Sequence, residues 1–346
     1  MKKLLNILYV TTPDAYLSKE GENVVVSVEQ EKKLQLPIHT LEGIVTFGRS
    51  GASPSLMNLC AKNGVGLSFH NEHGKFLARV QGPIQGNVLL RKKQYFFSEK
   101  EDISLAVSKN IILAKLCNSK NILQRFIREN SSKSDVSDVQ NVCQKLDYSL
   151  KTIQDISRID GLRGIEGEAA KSYFSIFDRL ILHQKSDFFF TQRTKRPPLD
   201  NVNALLSFLY TMLAFDVQSA LESVGLDPYV GFLHEDRPGR PSLALDLMEE
   251  LRAYLVDRLV LSLINRKQIN AKSFIKKENG AVVMEQDARK LVLEAWFKRK
   301  QEEIVHPFIQ EKIKIGLIPY VQSLLLARYI RAVSYTHLRA HETDQY

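Results

Sequence analysis

With 346 residues, the chain is long enough for two domains, and its 44% hydrophobic and 25% charged residues exclude fibrous and disordered proteins. Its 48 Lys and Arg residues outnumber its 39 Asp and Glu residues, and the resulting net charge of +9 favours a polyanionic partner such as nucleic acid. The three cysteines lack CxxC spacing, and we find no apolar run near the roughly 20 residues of a membrane span. We therefore expect a protein of the reducing cytoplasm with no membrane partner.

Short β-rich runs separated by turn residues occupy the first part of the chain. The predicted strands are 6–10, 15–17, 23–28, 33–37, 43–47, 66–69 and 76–80. Gly21 and Gly74 stand where hairpin turns require a positive φ. Ser53, followed by a proline, marks the start of one short helix that Gly64 ends. These patterns predict a β-rich domain with one short helix over residues 1–95.

After residue 104 the apolar period changes to that of helices. The predicted helices are 105–129, 136–157, 165–182, 202–223, 243–265, 286–303 and 308–331. We therefore predict an α+β protein of two domains, in which a larger, all-α catalytic domain over residues 96–331 follows the small β-rich one. Residues 332–346 break the helical pattern, and VSYTHLRAHET (333–343) resembles a translated sequencing adapter, so we interpret this segment as a non-native tail.

Four polar residues of the helical part are candidates for chemistry. Glu166 follows a glycine-rich stretch, where the alternative is a surface acid in the first turn of a helix. His234 ends an apolar run, where the alternative is a core histidine. Asp246 and Glu249 share one helix face at i, i+3 spacing, where the alternative is a solvated stripe, and Ser242 is the expected N-cap. One imidazole and three carboxylates suit Mg²⁺ or Mn²⁺ better than a structural zinc.

Strings around these residues resemble a known family. GIEGEAA (164–170), GFLH (231–234) and SLALDLMEELR (242–252) are similar to signatures of the CRISPR-associated endonuclease and integrase of spacer acquisition, the first Cas protein. LYVTTPDAYLSKEGENVVV (8–26), LPIHTLEGIVTFG (36–48) and GNVLLRKKQY (86–95) resemble the same family in the style of subtype I-C. The resemblance extends over about residues 4–331.

The resemblance implies a fold, an activity and partners. It implies that Glu166, His234 and Glu249 ligate the metal, with Asp246 as a catalytic residue beside them. Some family members carry Asp where Glu249 stands, which changes the ligand geometry. The implied reaction is attack of a 3′-hydroxyl on a phosphodiester, which inserts captured double-stranded DNA into a CRISPR array. The implied assembly is a homodimer in complex with the second Cas protein, in antiviral defence.

Basic residues outside this set are candidates for DNA contact. Arg193, Lys195 and Arg196 form a basic loop before the helix predicted at 202–223, with a solvated loop as the alternative. Arg91 begins a basic run that a charged linker would equally explain. Two other functions stay open at this point: a non-catalytic DNA-binding scaffold, and hydrolysis of a small phosphorylated substrate.

Overall fold

Strands dominate the first part of the chain and helices the rest in the computed structural model, which describes residues 6–71, 76–82, 88–132 and 135–331. This arrangement confirms the predicted α+β class, with a β-rich part followed by a larger helical part. The predicted tail, residues 332–346, lies outside the described residues, as does the turn glycine Gly74.

Eight strands form two four-stranded sheets in the described residues of the N-terminal part. The strands are β1 (Ile7–Val10), β2 (Tyr16–Glu20), β3 (Asn23–Val28), β4 (Glu31–Pro37), β5 (Gly43–Phe47), β6 (Gly51–Ala52), β7 (Gly66–His70) and β8 (Phe76–Val80). One sheet has the order β4-β3-β2-β6 and the other β1-β5-β7-β8, in which β1, β5 and β7 are parallel. All seven predicted strands are present, and only the two-residue β6 was not predicted.

The turn and the short helix of this part follow the sequence signals. Gly21 has a φ of +61° between β2 and β3, whose pairing closes at Glu20 opposite Asn23. Helix α1 (Pro54–Asn63) begins after Ser53, whose hydroxyl accepts a hydrogen bond from the backbone N–H of Leu56 at 3.3 Å. Both local predictions are therefore confirmed.

The helical part consists mainly of long helices. They are α2 (Val88–Ser98), α3 (Glu101–Asn130), α4 (Ser137–Thr152), α5 (Ile159–Ser175), α6 (Asn201–Ser223), α7 (Ser242–Leu251), α8 (Arg258–Asn265), α9 (Gln286–Gln301) and α10 (Ile318–Arg331). A π-helical segment, Arg252–Asp257, joins α7 to α8. The predicted division between residues 95 and 96 falls inside α2, which packs against α3 and α10, and it stays a prediction.

Two short hairpins correct the expectation of an all-α second part. They are formed by β9 (Phe274–Lys276) with β10 (Val282–Met284), and by β11 (Glu303–Val305) with β12 (Lys312–Lys314). The helix predicted to begin at residue 308 therefore begins only at Ile318. In β12, Ile313 is buried between exposed or half-exposed lysines, and this alternation is that of a strand although the apolar spacing also fits a helix face.

The helix that carries Glu166 begins earlier than the sequence predicted. Helix α5 spans Ile159–Ser175 and a separate 3₁₀ turn follows at Phe177–Leu180, whereas the sequence predicted one helix over 165–182. Glu166 consequently lies well inside α5 and not in its first turn, so its carboxylate is not a helix-terminal acid.

Helix α6 runs through the hydrophobic core. It meets the length and hydropathy of a membrane span, with a mean hydropathy of 1.4 over an 18-residue window, which the sequence analysis did not recognise. However, 61% of that window is buried inside the protein. Phe208 of α6 packs against Phe47 of β5, with ring centroids 6.1 Å apart, and joins the strands to the helices. The apolar surface of α6 is thus core surface.

Five neighbouring helices determine the position of the candidate residues. Helix α3 packs against α4, α5 and α7, and α6 packs against α7 on another side. Helix α7 is consequently enclosed, and all but one of its residues are buried. Helix α7 carries the carboxylates described below, and Glu249 among them faces Lys115 of α3.

We expect Asp200→Ala to destabilise the protein by about 1–2 kcal/mol, because it removes the N-cap of α6. Asp200 accepts hydrogen bonds from the backbone N–H and the side-chain amide of Asn203, at 2.7 and 2.6 Å. Urea unfolding of both chains measures the change. Ser53→Ala, which removes the longer cap bond of α1, is the matched control and should cost less. Equal losses in the two variants would contradict this ranking of the caps.

Candidate active site

Three of the four candidate residues line one open cavity. Glu166 comes from α5, His234 from the loop before α7, and Glu249 from α7, and all three border a cavity of about 300 Å³. Asp246 is completely buried beneath it. Glu249 is also buried, with 4% of its surface exposed, so the alternative of a solvated stripe on α7 is wrong.

The start of α7 differs from the sequence prediction. Ser242 is the first helical residue, Pro241 precedes it, and no side chain caps this end of the helix. The Ser242 hydroxyl instead donates a hydrogen bond to the carbonyl of Glu235 at 3.0 Å. The predicted N-cap is therefore wrong, and Ser242 helps to fold the preceding loop over the helix.

Asp246 organises the loop that carries His234. One carboxylate oxygen accepts hydrogen bonds from the backbone N–H groups of Phe232 and Leu233, at 2.6 and 2.9 Å. The other accepts from the backbone N–H of His234 at 2.9 Å and lies 2.6 Å from His234 Nδ1. A side chain at Gly231 would not fit, because its Cβ would lie 2.9 Å from the Asp246 carboxylate. This arrangement favours a positioning role for Asp246 over the direct catalytic role expected from the sequence.

The Asp246 contact also orients the His234 ring. Because an ionised carboxylate only accepts hydrogen bonds, Nδ1 of His234 carries the proton. In a neutral ring Nε2 then has a free lone pair, which is the state of a metal-ligating histidine held by a carboxylate. His234 is about one quarter exposed, so the alternative of a core histidine does not fit.

Glu249 is held by two cations. Its carboxylate oxygens lie 2.7 Å from Lys115 Nζ and 2.9 Å from Arg252 Nη2. Burial alone would raise the pKa of Glu249, but Arg252 and Lys115 outweigh that effect and lower the pKa from 4.5 to about 2. Lys115 also forms an ion pair with Glu166. The two acids are therefore bridged by one ammonium group.

Sequence reasoning missed Lys115. It lies on α3, and its side chain is 12% exposed. The helical spacing of the sequence contains a signal for it. Lys115 stands four positions after Ile111 and four before Ser119, both of which are buried, so it lies on the same face of α3 as these residues. A lysine on the apolar face of a helix requires a buried anionic partner.

A layer of aromatic and acidic residues supports Arg252. Its guanidinium lies over the ring of Tyr210, 5.1 Å from the centroid. Tyr210 and Tyr173 donate hydrogen bonds to the two carboxylate oxygens of Asp257, at 2.5 and 3.1 Å. Burial raises the pKa of Asp257 from 3.8 to about 6, although both hydroxyls and Arg252 act to lower it. These contacts fix Arg252 beside Glu249.

The donor set suits a hard divalent cation. Carboxylate oxygens and one imidazole nitrogen are ligands that Mg²⁺ and Mn²⁺ accept. In the part of the chain that the structure describes, no group of three or more His, Cys, Asp or Glu side chains is placed closely enough to hold an ion. Lys115 stands between Glu166 and Glu249, where a cation would bind both acids. The chemistry of these residues therefore fits an ion, provided that the ammonium group leaves.

The basic residues predicted to contact DNA differ in their surroundings. Arg193 donates hydrogen bonds to Asn203 at 2.6 Å and to Ser207 at 3.0 Å, so much of its guanidinium is used within the protein. Lys195 and Arg196 are exposed. Desolvation lowers the pKa of Lys195, and the charges of Arg252 and Arg193 lower it further.

Other arginines line the cavity itself. They are Arg163, Arg237 and Arg240, whereas Arg91 on α2 is not among the lining residues. Arg163 donates hydrogen bonds to the carbonyl of Leu233 at 3.0 and 2.8 Å. Sequence reasoning did not single out these three residues, because arginines in loops and on exposed helix faces are common. They balance the charge of the three acids that line the same cavity, Glu166, Glu235 and Glu249, and they are N–H donors of the type that binds phosphate groups.

Comparisons with known proteins agree on one family. The profile of "CRISPR associated protein Cas1" matches residues 8–298. The CRISPR-associated endonuclease Cas1 1 of Chlorobaculum tepidum is 50% identical over 331 residues, 96% of each chain.

Solved structures have the same fold at lower identity. A casposase bound to integration product has a TM-score of 0.84 at 23% identity and matches 99% of this chain and 95% of its own. A chain of a Cas6-RT-Cas1–Cas2 complex has a TM-score of 0.83 at 20% identity, matching 98% of this chain and 36% of its own.

We expect Asp246→Asn to lower the free energy of unfolding by about 2 kcal/mol or more, because an amide group would face backbone N–H donors that now bind a carboxylate. The loss is measured by urea unfolding, followed through the fluorescence of the buried Trp296. Asp236→Asn is the matched control, because Asp236 accepts one bond, from Gly231 N–H at 3.1 Å, on the same loop. Equal stability of the two variants would contradict the organising role of Asp246.

Proposed function

Because this chain belongs to the Cas1 family of CRISPR-associated proteins, we propose that it is a metal-dependent DNA endonuclease and integrase. It inserts captured DNA fragments into a CRISPR array. The endonuclease named in Chlorobaculum tepidum matches nearly the full chain at 50% identity, which supports the nuclease activity. The casposase bound to integration product supports strand transfer through likeness of fold alone.

One observation carries the proposal: Glu166, Glu249 and the oriented imidazole of His234, from three separate elements, border one cavity that Glu235 and three arginines also line. Glu166, His234 and Glu249 would hold Mg²⁺ or Mn²⁺. The chemistry that the bound ion supplies is polarisation of the scissile phosphate and activation of the attacking hydroxyl. The openness of the cavity suits a polymer better than a small phosphorylated substrate, which would require an enclosed pocket.

The chain's own residues have separate tasks in the proposed reaction. The arginines bind phosphate oxygens and offset their charge while the phosphate is attacked. Asp246 keeps the Nε2 lone pair of His234 directed into the cavity. A 3′-hydroxyl of the captured DNA forms a new P–O bond as one array P–O bond breaks, and the released 3′-oxygen takes a proton. The number of phosphodiester bonds is unchanged, so the transfer needs no nucleotide cofactor.

The partners follow from the same proposal. We propose that the chain binds double-stranded DNA as a homodimer, together with the second Cas protein, in the cytoplasm. The solved complex that contains Cas1 and Cas2 supports this assembly. The N-terminal strings that resemble subtype I-C support membership of that subtype.

A non-catalytic DNA-binding scaffold is the second candidate. The observation in its favour is Lys115, which neutralises Glu166 and Glu249 as a structural ion-pair network would. The two functions differ in whether a divalent cation supports cutting and strand transfer.

We expect His234→Ala to reduce metal-dependent cutting and strand transfer about 100-fold or more, because it removes the only nitrogen donor of the proposed ligand set. Plasmid integration and cleavage assays with Mn²⁺ measure the loss. DNA affinity and the melting temperature should change little, since His234 is partly exposed and does not support the core.

The matched control for that variant is His183→Ala, which changes an exposed histidine of the same helical part. It should keep full activity. A fully active His234→Ala chain would support the scaffold function, and an unfolded one would assign His234 to the core.

We expect DNA affinity to fall about 10³-fold between ~50 and 200 mM salt, because Lys and Arg side chains that bind phosphates release counterions. Fluorescence anisotropy with labelled duplexes of unrelated sequence measures the dependence. Arg237→Ala combined with Arg240→Ala should reduce the slope of log affinity against log salt by about two. Lys32→Ala combined with Lys33→Ala on β4 is the control. A slope near zero for the unmodified chain would contradict the proposed DNA partner.

A further inference from the structure

The ammonium group of Lys115 lies between two carboxylates of the candidate site. It forms ion pairs with Glu166 of α5 and with Glu249 of α7, the latter at 2.7 Å. Its side chain is 12% exposed, and that of Glu249 is 5% exposed. Few water molecules can therefore replace Lys115 as the partner of Glu249, and the ammonium group is the internal counterion of the site.

The charges of this cluster balance without any added ion. The two acids carry two negative charges, and Lys115 and Arg252 carry two positive charges. A divalent cation that joined the cluster while Lys115 stayed in place would meet a like charge at short range in a poorly hydrated site. Binding of the ion therefore requires the ammonium group to move away from at least one carboxylate.

The protein offers space into which Lys115 can move. A second cavity of about 30 Å³ borders Lys115 and is lined in part by Tyr173, Tyr210, Arg252 and Asp257. This volume accommodates a group of the size of a water molecule or an ammonium ion. The Asp257 carboxylate and the tyrosine hydroxyls provide oxygen acceptors there. A rotamer change of one long side chain is sufficient for the transfer.

We propose that Lys115 is a displaceable internal cation that competes with the divalent ion for Glu166 and Glu249 and thereby sets the metal affinity of the site. This inference rests on the proposed metal-dependent function. Without the ion, Lys115 holds the two acids together; when the ion binds, Lys115 withdraws toward Asp257. Lys115 is then a positioning residue whose effect is visible in metal binding itself, without DNA or turnover.

The test is a Mn²⁺ titration of the full chain without DNA, in which electron paramagnetic resonance measures free Mn²⁺. Lys115→Met should lower the Kd for Mn²⁺ by about tenfold or more, because the competing charge is gone. Lys120→Met is the matched control, since Lys120 lies on the same helix and pairs with Asp147 at 2.5 Å. It should leave the Kd unchanged. An unchanged or higher Kd in Lys115→Met would overturn the inference.

Thermal unfolding gives a second readout. In the presence of a chelator, Lys115→Met should melt below the unmodified chain, because Glu166 and Glu249 repel each other without their shared counterion. Saturating Mn²⁺ should raise its melting temperature more than that of the unmodified chain. An equal rise in both chains would contradict competition.

Two further outcomes keep the test decisive. Lys115→Arg keeps the positive charge and should bind Mn²⁺ no more tightly than the unmodified chain, so tighter binding would overturn the inference even if Lys115→Met failed to fold. If the unmodified protein and all variants bind Mn²⁺ saturably with the same Kd, the competition by Lys115 is rejected, but the metal-dependent function is not. The absence of saturable binding in every chain would reject the metal-dependent function on which it rests.

Discussion

The site depends on three carboxylates that are buried on one enclosed helix and must each be bound by a partner. Asp246, Glu249 and Glu250 of α7 are at most 4% exposed, and each requires a partner from another element. Backbone N–H groups bind Asp246, cations bind Glu249, and the Gln322 amide donates to Glu250 at 3.0 Å. The two adjacent acids therefore differ in pKa. The cations lower the pKa of Glu249 to about 2, whereas burial raises the pKa of Glu250 to about 7.

These partners connect the elements that form the cavity. Asp246 anchors the loop of His234 from below, and Arg163 binds the carbonyl of Leu233 in the same loop. Arg163 lies three residues before Glu166 on α5, so the loop and that acid are positioned by one helix. Contacts that do not involve an ion therefore bring the His234 ring, Glu166 and Glu249 to one cavity. The proposed chemistry also requires Lys115 to leave the space between the two acids.

Much of the fold was predictable because local signals agreed with it. The strands up to residue 80 and helix α6 follow clear periodicities, whereas β12 contains too few residues to distinguish a strand from a helix face. The family resemblance identified Glu166, His234 and Glu249, and the structure places them at one cavity. The helical pattern could single out Lys115 but not its partners, because these are 51 and 134 positions away along the chain, a relation that periodicity does not encode.

The most direct test of the account is anomalous diffraction from crystals of the unmodified chain grown with Mn²⁺. We predict one strong anomalous peak in the cavity, within about 2.0–2.6 Å of a carboxylate oxygen of Glu166, Nε2 of His234 and a carboxylate oxygen of Glu249. Lys115 Nζ should lie away from both acids in the same map. A peak at other residues, or none at this cavity with Lys115 still between the two acids, would contradict the account.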